Sequence, residues 1–382
     1  MKKIITVTTG TRSEYGLLRP ILKEIIKSKE LELRLIVTGM HLSHKHGLSI
    51  KEIQQDGFII TNKFFMLPSN DSTFDMATSL GKGIVNFSKI FKKIKPDINL
   101  ILGDRDEALA SALSASHMNI PNLHIHGGDK TKAGIDEYNR HAITKLSNIH
   151  CTATKKSKER VIKMGENPKY VFCTGSPSID EIVNQPILSK INLEKKYNLK
   201  FNGNDVLLLF HSVTTESEKS GKKIKNILDA LISLNSSIIA IAPNSDAGNT
   251  AIFNILKQYE KKYEFIKLFK NLPRTDYLSF LKYSGILVGN SSSGIIEASY
   301  FKIPVVNVGI RQNDRERGPN VIDVNDDIKL IYSALKKAIL MRQSFKLKPT
   351  KIYGNGNSSK KIVKILETIT LSKDLIQKQI AY

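Results

Sequence analysis

The 382-residue chain has no tryptophan, two cysteines, and 36 acidic residues against 58 lysines and arginines. Cys151 and Cys173 form no CxxC pair and stand in no His/Cys spacing that suits zinc, so neither a disulfide framework nor a structural metal is expected. No stretch approaches the roughly 20 apolar residues of a bilayer-spanning helix, which argues against a membrane protein. The opening MKKIITVTTGTR sets two lysines before an apolar run, but threonines interrupt the run and no small-residue cleavage site follows. It reads as a first β-strand rather than a signal peptide, and with the scarce cysteine it fits a reducing cytoplasm.

What the chain has in excess is positive charge, a formal +22. Such a balance means either nucleic-acid binding or a lysine-rich solvated surface around a site for anionic small molecules. The lysines fall in short clusters on helix-like stretches, such as Lys92, Lys93 and Lys95, Lys155, Lys156 and Lys158, or Lys222, Lys223 and Lys225. They carry no interleaved aromatics and no helix-turn-helix, zinc-finger or RNP pattern, so the solvated surface is the better reading and no nucleic-acid partner is expected.

The length suits two domains, each large enough to bury its own core. Apolar runs alternate with amphipathic stretches: strands Ile4–Thr8, Leu31–Thr38, Ile98–Gly103 and Asn122–His126, with helices Glu14–Lys27 and Glu107–His117. A second series begins near Asp205, with strands Val206–Phe210, Ile238–Ala242, Ile286–Val288 and Pro304–Val308. Gly175–Asn204, with GSPSID, an Asn-Gln-Pro break and an Asn-Gly-Asn turn, reads as the connection. The expectation is an α/β protein of two Rossmann-like domains, 1–176 and 177–358, with a terminal helix over 359–382 completing the first.

Parallel sheets of this kind hold ligands at the carboxyl ends of their strands, so chemistry is sought in the polar residues just after each strand. Gly10-Thr11-Arg12 opens a helix whose N–H groups favour a phosphate, with Arg12 able to grip it, although the spacing is not the dinucleotide fingerprint and a plain turn fits equally. Asp104 and Arg105 follow the Ile98–Gly103 strand, where capping alone explains two charged residues poorly. The densest polar stretch runs His124-Ile125-His126-Gly127-Gly128-Asp129 and then Asp136-Glu137-Tyr138-Asn139-Arg140-His141. It has the groups of an acid/base cluster, with a glycine pair that would let backbone approach a ligand; the plainer alternative is an i,i+4 surface pair of Asp136 with Arg140. In the second half, His211 and Asn244 follow strands, and Asn290-Ser291-Ser292-Ser293-Gly294 opens the helix carrying Glu297, offering donors for a diphosphate, with Arg311 beyond the next strand.

Taken together, GTRSEYG, GDR, HIHGGD, the DEYNRHAITKLS run, HSVTTE, PNSDAGN and GNSSSGIIE followed by Arg311 resemble the hydrolysing UDP-N-acetylglucosamine 2-epimerases of sialic-acid-type pathways. The resemblance implies two Rossmann-like domains facing a cleft, the glycosyltransferase B architecture. It also implies release of UDP and formation of N-acetylmannosamine, no metal or other cofactor, and a homo-oligomer, a dimer or tetramer. By that resemblance Arg12, Arg105, Asn244, Ser291, Ser292, Glu297 and Arg311 bind the nucleotide. Asp104, Asp136 and His211 match catalytic positions, with His126, Asp129, Glu137, Arg140 and His141 beside them. The chain departs from many relatives in placing His126 at the centre of an H-x-E-G-G motif, Asp129 where a glutamate often stands, and Gly16 in place of a serine.

The implied mechanism is elimination of UDP across C1–C2 to a glycal, followed by hydration that inverts C2. Arginines and helix termini would stabilise the leaving diphosphate, and two of the acid/base groups would remove and return the C2 proton. The same chemistry on UDP- or GDP-linked N,N'-diacetylbacillosamine is the near alternative. A non-hydrolysing epimerase or a glycosyltransferase of the same architecture is the enzymatic rival, and a basic nucleic-acid-binding module is the rival of another class.

Overall fold

The computed structural model describes residues 2–67, 72–131, 135–234, 236–244, 246–344 and 346–381, with only the backbone of Lys45. They form two compact units. Unit 1 is Met1–Lys130, Asp136–Asn184 and Tyr353–Tyr382; unit 2 is Thr131–Ile135 and Gln185–Ile352.

Unit 1 runs β1 (Lys3–Thr9), α1 (Arg12–Lys27), β2 (Leu31–Val37), α2 (Ile50–Gln55), β3 (Ile60–Lys63), α3 (Thr73–Ile94), β4 (Ile98–Leu102) and α4 (Asp106–His117). It continues with β5 (Asn122–Ile125), α5 (Ile135–Leu146), β6 (Ile149–Thr152), α6 (Lys155–Lys163), β7 (Val171–Cys173) and α7 (Pro177–Asn184). All strands are parallel, in the order β3-β2-β1-β4-β5-β6-β7. The order reverses between β1 and β4, the switch point where open parallel sheets leave a crevice. The strand β4, Ile-Asn-Leu-Ile-Leu, is buried along its whole length because helices cover both faces. Leu18, Ile21, Leu22 and Ile25 recur at helical spacing on α1 and pack on Ile5, Val7, Leu35 and Leu100 of the sheet.

Unit 2 runs α8 (Lys190–Tyr197), β8 (Val206–Leu209), α9 (Ser220–Ile232), β9 (Ile238–Ile241), α10 (Asn249–Lys262), β10 (Ile266–Phe269) and α11 (Arg274–Tyr283). Next come β11 (Ile286–Gly289), α12 (Ser292–Ile296), β12 (Val305–Val308), β13 (Val321–Val324) and α13 (Ile328–Gln343). Its parallel sheet has the order β10-β9-β8-β11-β12-β13, with the reversal between β8 and β11. The chain is thus α/β, with two Rossmann-like sheets. It then returns to unit 1 as α14 (Ser358–Thr368) and α15 (Lys373–Ile376).

The boundaries expected at 176/177 and 358/359 lie instead at 184/185 and 352/353. The cause is α7, which buries Ile179 and Ile182 and caps α14: buried Asp180 accepts the Ser358 N–H at 2.9 Å and the Ser359 N–H at 2.6 Å. The stretch 175–204, expected as a connection, therefore holds α7 and α8. The terminal segment, expected as one helix, breaks at 369–372, where Ser372 caps α15. Ile362, Val363 and Leu366 of α14 complete the core around β1 and α1.

Lys92, Lys93, Lys95, Lys155, Lys156, Lys222 and Lys225 are exposed, and Lys158 and Lys223 half-buried. Among the described residues no helix is long and apolar enough to cross a membrane, and no three or more His, Cys, Asp or Glu residues are grouped to hold a metal ion.

Candidate active site

At the carboxyl end of β4 in unit 1 the chain turns at Gly103, whose φ of 76° is left-handed, and delivers Asp104. The Asp104 carboxylate receives Nε of Arg140 at 2.9 Å, and Nη2 as well. Arg140, from α5, is 1% exposed, and its Nη1 donates to Glu137 Oε2 at 2.5 Å and to the Asp129 carbonyl at 3.1 Å. Burial alone would favour the neutral guanidine, but Asp104, Asp129 and Glu137 outweigh it and the Arg140 pKa is raised. Glu137 also meets His141 Nε2 at 2.9 Å. Arg140 therefore bridges to Asp104, 36 residues away in the chain, rather than serving only an exposed pairing along its own helix. Asp136, in the first turn of α5, is half-buried.

The HIHGGD stretch has a different role from the expected ligand cradle. His124 is buried against the Gly103 carbonyl (Nε2 at 2.8 Å) and Thr144 (Nδ1 at 3.2 Å), and burial pushes its pKa down to about 3, so it is a neutral tether for the Asp104 loop. His126, at a left-handed φ of 69°, spans Ser176 (3.0 Å) and Asp129 (3.3 Å). Asp129, 2% exposed, also accepts the Ser157 hydroxyl at 2.9 Å. The glycine pair answers to packing: a Cβ on Gly127 would lie 2.8 Å from His124 Nδ1, and one on Gly128 would collide with the Ser157 carbonyl.

At β1, Thr11 caps α1, accepting the Glu14 N–H at 3.3 Å, while buried Glu14 accepts the Gly10 N–H at 2.6 Å. Arg12 pairs with Glu52 at 2.5 Å, and Arg105 lies 3.4 Å from Glu107.

In unit 2, His211 follows β8, Asn244 follows β9 and Asn290 follows β11. The Asn290 amide accepts the His211 N–H at 2.7 Å and donates to the His211 carbonyl at 2.9 Å, continuing the β8–β11 pairing past the strand end. The Asn244 N–H donates to His211 Nδ1 at 3.2 Å, so the neutral imidazole carries its proton on Nε2. Gly289, at φ 133°, is needed there because a Cβ would strike the Leu209 carbonyl. Ser291 caps α12, and Ser292 is its first residue. Arg311 and Gln312 both donate to the Asn290 carbonyl, at 3.2 and 3.0 Å. Glu297 is 3% exposed; Arg274 meets its two oxygens at 2.5 and 3.3 Å, and the Ser293 hydroxyl donates to it at 2.6 Å. Ser245, inside the PNSDAGN run, lies outside the described residues.

A family model described as UDP-N-acetylglucosamine 2-epimerase matches residues 23–367. The chain belongs to that family. It is 38% identical, over all 382 residues and 100% of both chains, to the Legionella pneumophila UDP-N,N'-diacetylbacillosamine 2-epimerase (hydrolyzing). It is 34% identical over 338 residues, 88% of each chain, to the Neisseria meningitidis UDP-N-acetylglucosamine 2-epimerase. Among solved structures it resembles a Neisseria meningitidis UDP-GlcNAc 2-epimerase bound to UDP-GlcNAc, with a TM-score of 0.79, 21% identity and coverage of 95% of this chain and 99% of that one. The Methanocaldococcus jannaschii UDP-GlcNAc 2-epimerase in complex with UDP-GlcNAc and UDP is similar at a TM-score of 0.77, 20% identity and coverage of 95% and 99%.

In this epimerase-family chain, unit 1 joins Asp104, Glu137 and Arg140 in one network, which reaches His126 through Asp129. Unit 2 joins His211 and Arg311 through Asn290, and Asn244 through the His211 ring. Arg274, Gln312, Glu14 and Glu107 were not among the expected site residues, and Asn290 was expected only within the helix-opening donor stretch, not as the residue that holds His211. Arg274 has no local signal, since only folding sets it against Glu297.

Proposed function

We propose that the chain is a hydrolysing 2-epimerase that converts UDP-N-acetylglucosamine to UDP and N-acetylmannosamine for sialic-acid-like sugars. The end-to-end 38% identity to an enzyme named as a hydrolysing 2-epimerase supports the reaction, and the 34% identity to the Neisseria meningitidis UDP-N-acetylglucosamine 2-epimerase supports the sugar. In the reaction, C2 loses its proton, the C1–O bond breaks with both electrons leaving on UDP, and a 1,2-glycal results. Water then adds hydroxyl to C1 and a proton to C2 from the other face. Unit 2 is assigned the nucleotide. The hydroxyls of Ser291 and Ser292 and the Arg311 guanidinium suit a diphosphate, Asn244 adds a further contact, and the Nε2–H of His211 suits the departing phosphate oxygen. Unit 1 is assigned proton transfer at C2. Asp104, ion-paired with Arg140, serves as one acid/base group, with Asp136 as the other. Glu137 and Arg140 hold that geometry, His126 and Asp129 brace it, and the Arg12 and Arg105 guanidinium groups are assigned to the anionic nucleotide. Glu297, held by Arg274, is assigned to the ribose hydroxyls. No metal or cofactor takes part in this scheme.

UDP-linked N,N'-diacetylbacillosamine is a second substrate reading, favoured by the names of the Legionella enzyme and of a Campylobacter jejuni GDP/UDP-N,N'-diacetylbacillosamine 2-epimerase, 39% identical over 329 residues. The enzyme is assigned to the cytoplasm as a homo-oligomer, for which the exposed Phe74 and Val85 on one face of α3 offer an apolar contact. Sedimentation of F74D against the parent chain tests that contact.

Proton NMR in D₂O with each nucleotide sugar tests the reaction. Free UDP with the 2-epimeric sugar deuterated at C2 is expected. UDP release with the C2 hydrogen retained would replace elimination by hydrolysis or transfer.

A further inference from the structure

Asn290 holds His211, and every polar group of Asn290 is itself engaged. Its N–H donates to the Leu209 carbonyl at 3.0 Å, its side-chain amide takes the His211 N–H and carbonyl, and its own carbonyl accepts Arg311 and Gln312. Asn290 and Gln312 are each 1% exposed, so a bond lost between them is not readily replaced by water. Gln312 lies in the loop after β12, in the run Arg311-Gln312-Asn313-Asp314-Arg315-Glu316-Arg317. Its amide is used at both ends: Nε2 donates to the Asn290 carbonyl at 3.0 Å, and Oε1 accepts Nη1 of Arg315 at 3.1 Å. The loop is closed on itself, since Arg317 donates to the Gln312 carbonyl through Nη2 and to the Arg315 carbonyl through Nε at 3.0 Å, and its Nη1 pairs with Asp323 of β13.

A carboxamide presents a donor and an acceptor on one rigid plane, and both are needed here. A glutamate at 312 would keep a bond to Arg315 but set a negative oxygen against the Asn290 carbonyl, and a methionine of similar volume would serve neither partner. Arg311 shares the Asn290 carbonyl at 3.2 Å, but its guanidinium is assigned to the diphosphate. Gln312 is therefore the donor whose hold on the turn after β11 does not compete with substrate. The connection then runs from Gln312 to the Asn290 backbone, and from the Asn290 side chain to both backbone polar groups of His211.

We propose that Gln312 is a positioning residue for departure of the nucleotide: its two-ended amide fixes Asn290, and through Asn290 it aims the His211 imidazole, without touching substrate itself. The effect on turnover rests on the epimerase reading and on the assignment of His211 to the departing phosphate oxygen; the hold on His211 does not.

The test is a double-mutant cycle on the full chain, with kcat for UDP release as the readout. Q312M is expected to lower kcat about tenfold, the scale of a modestly misplaced catalytic group, and to lower it less than twofold further when H211A is already present. Q312E, isosteric and still able to bond Arg315, is expected to behave as Q312M does and carries the same cycle where Q312M folds poorly. Parental kcat in both variants overturns the proposal, and so does a loss that simply multiplies with that of H211A, because a structural role would not depend on the histidine. The ¹⁵N signals of the His211 ring, assigned by their absence from H211A, are expected to shift in Q312M and Q312E. Absence of turnover with every nucleotide sugar would count against the epimerase reading alone; the His211 signals then decide, and parental signals in both variants overturn the hold itself.

Discussion

In unit 1, Asp104 after β4 meets Arg140 and Glu137 of α5, a chain of charges joined by direct ion pairs around an arginine that is 1% exposed. After β11 in unit 2 stand Asn290, Ser291 and Ser292, neutral groups that hold His211 and cap a short helix. The two sheets share a topology and a switch point, yet one end stores opposite charges against each other while the other sets out uncharged donors and acceptors. The first arrangement fixes the position of two carboxylates around one buried guanidinium. The second can receive an anion without first breaking a charge pair at Asn290, although Glu297 behind it is locked by Arg274. Function and stability are therefore fused in unit 1 and more nearly separable in unit 2.

Substitution of Arg140 tests that fusion most severely. R140M leaves Asp104 and Glu137 without their buried cation and is expected to cost roughly 3–5 kcal/mol in denaturant unfolding, along with all measurable UDP release. Retention of parental stability would break the contrast. For D104N we expect kcat to fall about 10²–10⁴-fold with UDP affinity by calorimetry unchanged, the range typical of a lost acid/base group. In unit 2, H211A is expected to lower kcat on the order of 10²-fold while leaving the melting temperature near that of the parent, since one aimed donor at a leaving oxygen contributes about that much. A large loss of stability in H211A would move that histidine to the unit 1 pattern.

The smallest effect concerns pH and stability at Glu14. Its folded pKa, pushed by burial up to about 8, lies above the ordinary carboxyl value of 4.5, so the folded state binds the extra proton. That stabilisation is fully present below pH 4.5 and is lost as pH rises through about 8, so urea unfolding should show a decline over that window that E14Q lacks. Persistence of the same decline in E14Q would assign it to another group.

Much of this was legible in sequence, for identifiable reasons. The central strands β1, β4, β8 and β11 are buried apolar runs, and the polar residues after them stand where parallel sheets collect ligands. The strands β3, β6, β7, β10 and β13 escaped notice: β3, β7, β10 and β13 sit at sheet edges, where Ile-Thr-Asn-Lys or Val-Ile-Asp-Val carries little apolar signal, and the internal β6, Ile-His-Cys-Thr, is short with polar residues at alternate positions. Asp136 and Arg140 offered an i,i+4 pairing, but Asp104 took the guanidinium because β4 and β5 bring the two loops together. Gly127 and Gly128 suggested ligand approach, and His124 and Ser157 supplied the actual reason for them.

The order of residues by itself determined the α/β alternation, the two-unit organisation and the family, because hydrophobic periodicity and post-strand motifs are local properties of the chain. Tertiary structure alone decided that Arg140 belongs to Asp104, that Arg274 belongs to Glu297, and that Glu107 fills the space beside two glycines. Those pairings join residues far apart in sequence, and a buried charge takes whichever partner the folded sheet places within reach.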